Sequence, residues 1–407
     1  MTLEFISCWF RKIIWLAALT AAQTVWSQTA PDSSGRLNMD AVYNRPFLEL
    51  GRLPVALGGY VEANTAWFSE DGVSEGLSFQ LPRLTLFASS TISRNIKFLT
   101  EIEFEEGGRE INIEFASLDI KFLPALQLRG GVVMNPIGAF NQNHDGPKWE
   151  FVDRPIAATQ LLPATWSNVG FGLHGKFFHG PWTLGYEAYL TNGFDPTIID
   201  NAEGKTFLPA SKISGERFEE SLTGRPLYSG KLAVRHRLAG EIGLSYMGGA
   251  YNREQEDGLQ VDALRRVHVF AVDFNASLPG TGTAFTGEWA WIRLDVPENY
   301  APQYGSRQQG GFLDVVQPFF RGQLLHWQNA VLNLAVRLEY VDWNVGRFAE
   351  TGTEKGDALF ALSGGLSFRP SAQTVLRLNY RYSWQEDLFG NPPGRAAGWL
   401  FGLSSYF

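Results

Sequence analysis

The stretch Val331-Leu332-Asn333-Leu334-Ala335-Val336-Arg337-Leu338-Glu339-Tyr340 alternates along its length. Leu332, Leu334, Val336, Leu338 and Tyr340 fall on one face of an extended chain, with Asn333, Arg337 and Glu339 on the other. This is the period-2 pattern of a strand with one apolar and one wet side. Three further blocks repeat it. Leu376, Leu378, Tyr380, Tyr382 and Trp384 oppose Arg377, Asn379, Arg381 and Ser383; Phe171, Leu173 and Phe177 oppose His174 and Lys176; Ile96, Phe98, Ile102 and Phe104 oppose Lys97, Glu101 and Glu103. No amphipathic helical period dominates after residue 40.

Alternation also occurs in soluble sandwiches, so the connections decide between architectures. The pattern predicts sixteen strands near 56–68, 78–91, 95–105, 111–122, 125–134, 167–178, 181–192, 227–237, 240–251, 264–277, 282–294, 310–322, 327–341, 357–369, 372–385 and 395–407. Connections from even to odd strands are tight, as at Ser93-Arg94, Leu123-Pro124, His179-Gly180 and Pro370-Ser371. Those from odd to even are expected to be longer, most of all 135–166 and 193–226. Hairpin turns at one rim and long loops at the other, with an even strand count, describe an all-β transmembrane up-and-down barrel with periplasmic turns and external loops. A spanning strand takes about 9–11 residues, which matches the length of the alternating blocks.

The composition fits this reading once the two faces are separated. The 407 residues are 44% hydrophobic and 19% charged, with a mean hydropathy of −0.12. That average excludes a polytopic helical membrane protein, which needs repeated apolar runs of about 20 residues. The 14% of aromatic residues excludes a disordered chain. An alternating strand hides both extremes, because its lipid side and its water side cancel.

Residues 1–27 read as a signal peptide: Arg11 and Lys12 precede an apolar run from Ile13 to Ala22, too short to span a bilayer. Its removal takes Glu4, Arg11 and Lys12 with it and leaves the chain one unit more negative than −8. Cys8, the single cysteine, also lies there, so thiol and disulfide chemistry are excluded from the remainder. Residues 28–55 do not alternate and read as an N-terminal periplasmic segment, packed below the barrel or in its mouth; 56–407 form the pore domain. Trp67, Trp182, Trp291, Trp327, Trp343 and Trp384 fall at strand ends, where interfacial aromatic girdles sit, although each taken singly also suits ordinary packing. The chain ends on Phe407 with Leu403, Phe401 and Trp399 on the same face. This resembles the recognition strand of outer-membrane barrels inserted by the barrel-assembly machinery.

The segment Leu126-Gln127-Leu128-Arg129-Gly130-Gly131-Val132-Val133-Met134-Asn135-Pro136-Ile137-Gly138, with Glu150-Phe151-Val152-Asp153-Arg154-Pro155 and Val169-Gly170-Phe171-Gly172-Leu173-His174-Gly175, resembles the phosphate-selective porin O and P family. The resemblance covers about 70 residues (111–178) in detail and the rest by architecture. It implies a Gram-negative outer-membrane porin, usually a homotrimer, whose third external loop folds into the lumen. Loop 135–166 holds that place, and Asp145, Lys148, Glu150, Asp153 and Arg154 are the residues expected to line the constriction.

A charge on the lipid face costs roughly 2–4 kcal/mol at the midplane, so strand charges are assigned to the lumen. The basic set is Arg83, Lys97, Arg129, Lys176, Lys231, Arg235, Arg337, Arg377 and Arg381. It faces Glu62, Glu101, Glu103, Glu114, Glu187, Glu241, Glu288 and Glu339. A lumen of mixed sign predicts weak selectivity for small ions and solutes. The separation of Lys231, Arg235, Arg237, Arg377 and Arg381 from Glu101, Glu103 and Glu114 leaves open either a transverse field across the pore or scattered charges without one.

Of the six histidines His144, His174, His179, His236, His268 and His326, the last three lie near strand ends without a Ser and carboxylate set nearby in sequence, and no catalytic residue is assigned. Asn143-His144-Asp145-Gly146 reads as a turn, no His pair has metal-ligand spacing, and no metal or cofactor is expected. Net acidity disfavours nucleic acid. The expected function is an outer-membrane diffusion channel. A substrate-specific channel with a phosphate, anion or sugar site is the alternative, and an outer-membrane lipid hydrolase a remote one.

Overall fold

A computed structural model describes residues 39, 41, 45–49, 55–213 and 215–407. The expected signal peptide and most of 28–55 lie outside them. Sixteen antiparallel strands form one closed ring: β1 (Val55–Glu70), β2 (Val73–Ser93), β3 (Ile96–Glu105), β4 (Glu110–Leu123), β5 (Leu126–Met134), β6 (Ser167–His179), β7 (Trp182–Thr191), β8 (Leu227–His236), β9 (Gly240–Ala250), β10 (Arg266–Ser277), β11 (Ala284–Leu294), β12 (Arg307–Leu324), β13 (Trp327–Asp342), β14 (Ala358–Ser371), β15 (Thr374–Gln385) and β16 (Gly394–Tyr406). Each pairs with its neighbours in sequence, and β16 closes on β1 with Trp399 opposite Trp67 and Gly402 opposite Asn64. All sixteen strands occur where alternation predicts them.

The faces also follow the alternation. In β13, Leu334 and Val336 are 49% and 37% exposed on the outer surface, whereas Asn333, Arg337 and Glu339 are buried inside. Phe122, Phe171, Leu190, Leu232, Leu244, Phe270, Leu378 and Phe401 extend the outer apolar surface around the ring. Phe407 donates its backbone N–H to Gly59 O at 3.0 Å, across the β16–β1 seam.

Three expectations need correction. The connections after β1 and β3 are short, at 71–72 and 106–109, because β2 begins at Val73 and continues the β1 hairpin, with Val73–Leu81 exposed. Trp343 belongs to no girdle: it is 2% exposed, inside the barrel, with its indole N–H on Gln160 O. The inward face is also not polar throughout. Toward the long-loop rim, Val267 and Val269 share a face with Asp273, and Ile292 shares one with Glu288. They pack against Ile137, Ile156 and Leu161 from loop 135–166 and Phe194, Ile198 and Leu208 from the β7–β8 connection. Loops that enter a barrel replace water on the strands they cover, so apolar inward residues are stable there.

The face assignment predicts that Leu334→Arg lowers barrel stability by about 2–4 kcal/mol, measured by denaturant unfolding from lipid vesicles. A change near zero would place this face away from lipid.

Candidate functional site

Loop 135–166 leaves β5 and returns to β6 through a neck clasped by one side chain. Asn141 Nδ2 donates to Asn135 O and Trp166 O at 2.8 and 3.0 Å, and its Oδ1 accepts Trp166 N–H at 2.7 Å. Beyond the neck the chain crosses the barrel interior with only short helical turns, Asn141–Asn143, Gly146–Lys148 and Ala157–Leu161. Buried backbone groups outside a ladder need partners, and inward side chains of the strands provide them.

The sign of each side chain matches the group it holds. Glu288 on β11 accepts the Ala139 and Phe140 N–H groups at 2.6 and 3.1 Å, and Glu339 on β13 accepts Ile156 N–H at 2.7 Å. Cations take the carbonyls: Lys231 donates to Gly138 O at 2.8 Å, Arg337 to Asp153 O at 2.9 Å, Arg369 to Pro147 O at 2.8 Å, and Arg377 to Phe151 O at 2.8 Å. Asn379 Oδ1 accepts Val152 N–H at 2.9 Å. Close approach is made by two glycines. A Cβ on Gly138, at φ +67°, would stand 2.4 Å from Glu288 Oε2, and one on Gly146 would stand 1.9 Å from Glu62 Oε1.

The five expected constriction residues are all in this loop, but they reach different sectors of the wall. Asp145 and Lys148 come together at 3.2 Å, and Asp145 also holds Arg45 (2.5 and 2.9 Å) and accepts the Tyr406 hydroxyl at 2.6 Å. Burial alone would raise the Asp145 carboxyl, but Arg45, Lys148 and His144 together hold it well below the usual carboxylate range. Burial pulls the Lys148 amine down despite Asp145; its Nζ also donates to Ala41 O at 2.9 Å. Glu150 pairs with Arg369 at 2.8 Å, and Asp153 with Arg381 at 2.7 Å. Arg154 lies 3.4 Å from Glu103 and 4.0 Å from Glu105.

The charged side chains assigned to the lumen meet one another at contact distance. Arg83 lies against Glu62, Glu103 and Glu105. Arg377 also reaches Glu62, Lys231 pairs with Asp273 at 2.7 Å, Arg235 with Glu241 at 3.3 Å, and Lys212 with Glu114 at 3.6 Å. Arg337 grips Asp314 through two 2.7 Å bonds. Arg129 binds Asp119 and Tyr189, whose hydroxyl donates to Glu187 at 2.6 Å. Lys97, Arg129, Lys176 and Glu187 border a cavity of about 610 Å³ toward the short-turn rim, together with Phe47 and Met39.

Sequence reading missed Asp273, Asp314, Arg369, Tyr406 and Arg45. Asp273 and Asp314 were detectable, since each lies on the inward parity of its strand. Arg45 lies in a non-alternating segment that carries no such signal. Two groups of three ligand-type side chains occur among the described residues, Glu101-His144-Asp145 and Glu103-Glu105-Glu114. The Arg45 guanidinium stands within the first, and Arg83, Arg154 and Lys212 stand against the second.

No family model matches the chain. It is 27% identical over 372 residues to an uncharacterized protein of Aquifex aeolicus (strain VF5), covering 85% of this chain and 80% of that one. Three solved structures share its architecture at low identity. An anion-selective porin from Comamonas acidovorans has a TM-score of 0.56 at 13% identity, covering 87% of this chain and 99% of its own. Salmonella typhi OmpF, in complex with daunomycin, has 0.55 at 12%, covering 87% and 97%. Pseudomonas putida OprB, at high pH, has 0.52 at 11%, covering 87% and 94%.

The anchoring pattern makes one test direct. Glu288→Ala strands two loop amides at a cost of about 1–3 kcal/mol. The loss is measured by denaturant unfolding from lipid vesicles, and an unchanged stability would show that Glu288 does not hold the loop. Closed by sixteen antiparallel strands, the chain has the fold of the outer-membrane porins.

Proposed function

We propose that this protein is a porin of the Gram-negative outer membrane, a passive diffusion channel for small hydrophilic solutes or ions, constricted by loop 135–166. The observation that carries the reading is the loop itself: it lies inside a closed barrel and is held to the wall by charged side chains on β8, β11, β13, β14 and β15. Asp145, Lys148, Glu150, Asp153 and Arg154 form the constriction in this reading. The ion-paired lumen supports weak selectivity rather than a strong preference for one sign. Lipid covers the outer apolar surface, and the barrel-assembly machinery reads the terminal strand ending at Phe407. A homotrimer is the proposed assembly, supported by the exposed apolar β1–β2 hairpin, where Val73, Leu77 and Phe79 stand clear of the barrel.

One observation favours the second reading, a channel with a solute site for phosphate, another anion or a sugar. The cavity of about 610 Å³ has Arg94, Lys97, Lys121, Arg129, Lys176 and Lys231 on its border against Asp119 and Glu187. Planar-bilayer recording separates the two. A diffusion channel gives ohmic current, a zero-current potential near zero in a salt gradient, and no block by solute. Block by micromolar phosphate or sugar supports the site, and absence of current defeats both.

A further inference from the structure

Arg45 lies upstream of the first barrel strand, yet its side chain is fully buried inside the lumen. Its Nη1 stands 2.6 Å from Glu101 on β3, and its Nε and Nη2 stand 2.9 and 2.5 Å from the two Asp145 oxygens on loop 135–166. The guanidinium is flanked by the rings of Phe87 on β2 and Phe115 on β4, at 5.2 and 5.3 Å. Phe47 packs edge-on against Phe87 at 5.2 Å, and Leu48–Glu49 pairs antiparallel with Leu57 and Ala56 of β1. A second tie runs from Lys148 to the Ala41 carbonyl.

These contacts add to the loop's own ties to the β3 wall. Loop 135–166 is anchored along β8 to β15, whereas toward β3 it meets the wall through His144 and Arg154, the former 3.3 Å from Glu101. Arg45 reinforces that contact, bridging Glu101 on β3 to Asp145 next to His144. On one side of it lies the cavity bordered by Phe47, Lys97 and Arg129; on the other lie Arg83, Glu103 and Arg154. At this level Arg45 and Lys148 together offset the charges of Glu101 and Asp145, and the bridge narrows the passage.

We propose that Arg45, held on the short described stretch 45–49, is a latch that joins the constriction loop to the β3 wall and offsets the negative charge there. The latch rests on the channel reading above and adds a part to it. Opening the passage then requires Arg45 to leave Glu101 and Asp145.

Three variants of the full chain test this in planar bilayers, after heat-modifiable gel mobility has shown a folded barrel. Arg45→Gln is expected to raise single-channel conductance about twofold or more and to move the zero-current potential toward cations, because Glu101 and Asp145 lose their shared counter-charge. Asp145→Asn releases the same latch from the other side and is expected to raise conductance while moving the potential toward anions. Arg45→Lys keeps the charge and is expected to keep the parent's potential. The opposite shifts of the first two variants are the decisive sign, and a structural role alone would not produce them. If Arg45→Gln or Asp145→Asn folds and conducts as the parent does, the latch is overturned while the channel stands. If parent and variants all pass no current, the channel reading falls and the latch falls with it.

Discussion

A chain that crosses hydrocarbon as strands can leave no edge, because an unpaired N–H or C=O in lipid costs several kcal/mol. The pairing of β16 with β1 is therefore the constraint on which the rest depends. Closure with sixteen strands encloses more volume than inward side chains fill. The loops between strands occupy part of that volume, and once inside they need hydrogen-bond partners as much as the strands do. The wall answers with carboxylates for amides and guanidiniums for carbonyls, so the charges on the inner face act first as structural anchors.

This changes what the inward charges mean energetically. A buried ion pair adds little net stability, because desolvation offsets its attraction, but removing one partner strands the other at about 3–5 kcal/mol. The Arg337–Asp314 and Arg369–Glu150 pairs are of this kind, and each also fixes a loop contact. Nearer the long-loop rim an apolar cluster that includes Trp166, Phe194 and Tyr251 fills the β8–β14 side of the lumen. The apolar cluster and the cavity therefore occupy different sectors, the first along β8–β14 and the second along β2–β8, with the ion-paired loop between the two rims.

The sequence made the ring legible because a membrane strand writes its two environments at every second residue. Leu334 and Arg337 could be assigned from one another's parity alone. What sequence left hidden is whatever a loop does after leaving the strand. Trp343 matches a girdle residue by position, yet it packs inward because Gln160 and Leu161 of the folded-in loop are there to meet it. Asp145 and Lys148 were recognisable as loop charges, but Arg45, the other partner of Asp145, comes from a segment with no period to read. The paired state of the lumen was likewise beyond alternation, which gives the face of a charge and not the distance to its opposite.

The tip of the loop is held from both sides of the seam. Arg377 on β15 and Glu62 on β1 meet beside Gly146, and Tyr406 on β16 holds Asp145. Across that seam Ser404 bonds to Val61 O, residues 343 positions apart, so this junction joins late in any folding order that begins with local hairpins. The binding place for the loop tip does not exist until the first and last strands have met. Biogenesis thus has a built-in sequence of events: the barrel seals first, and only a sealed barrel can hold the tip of the loop.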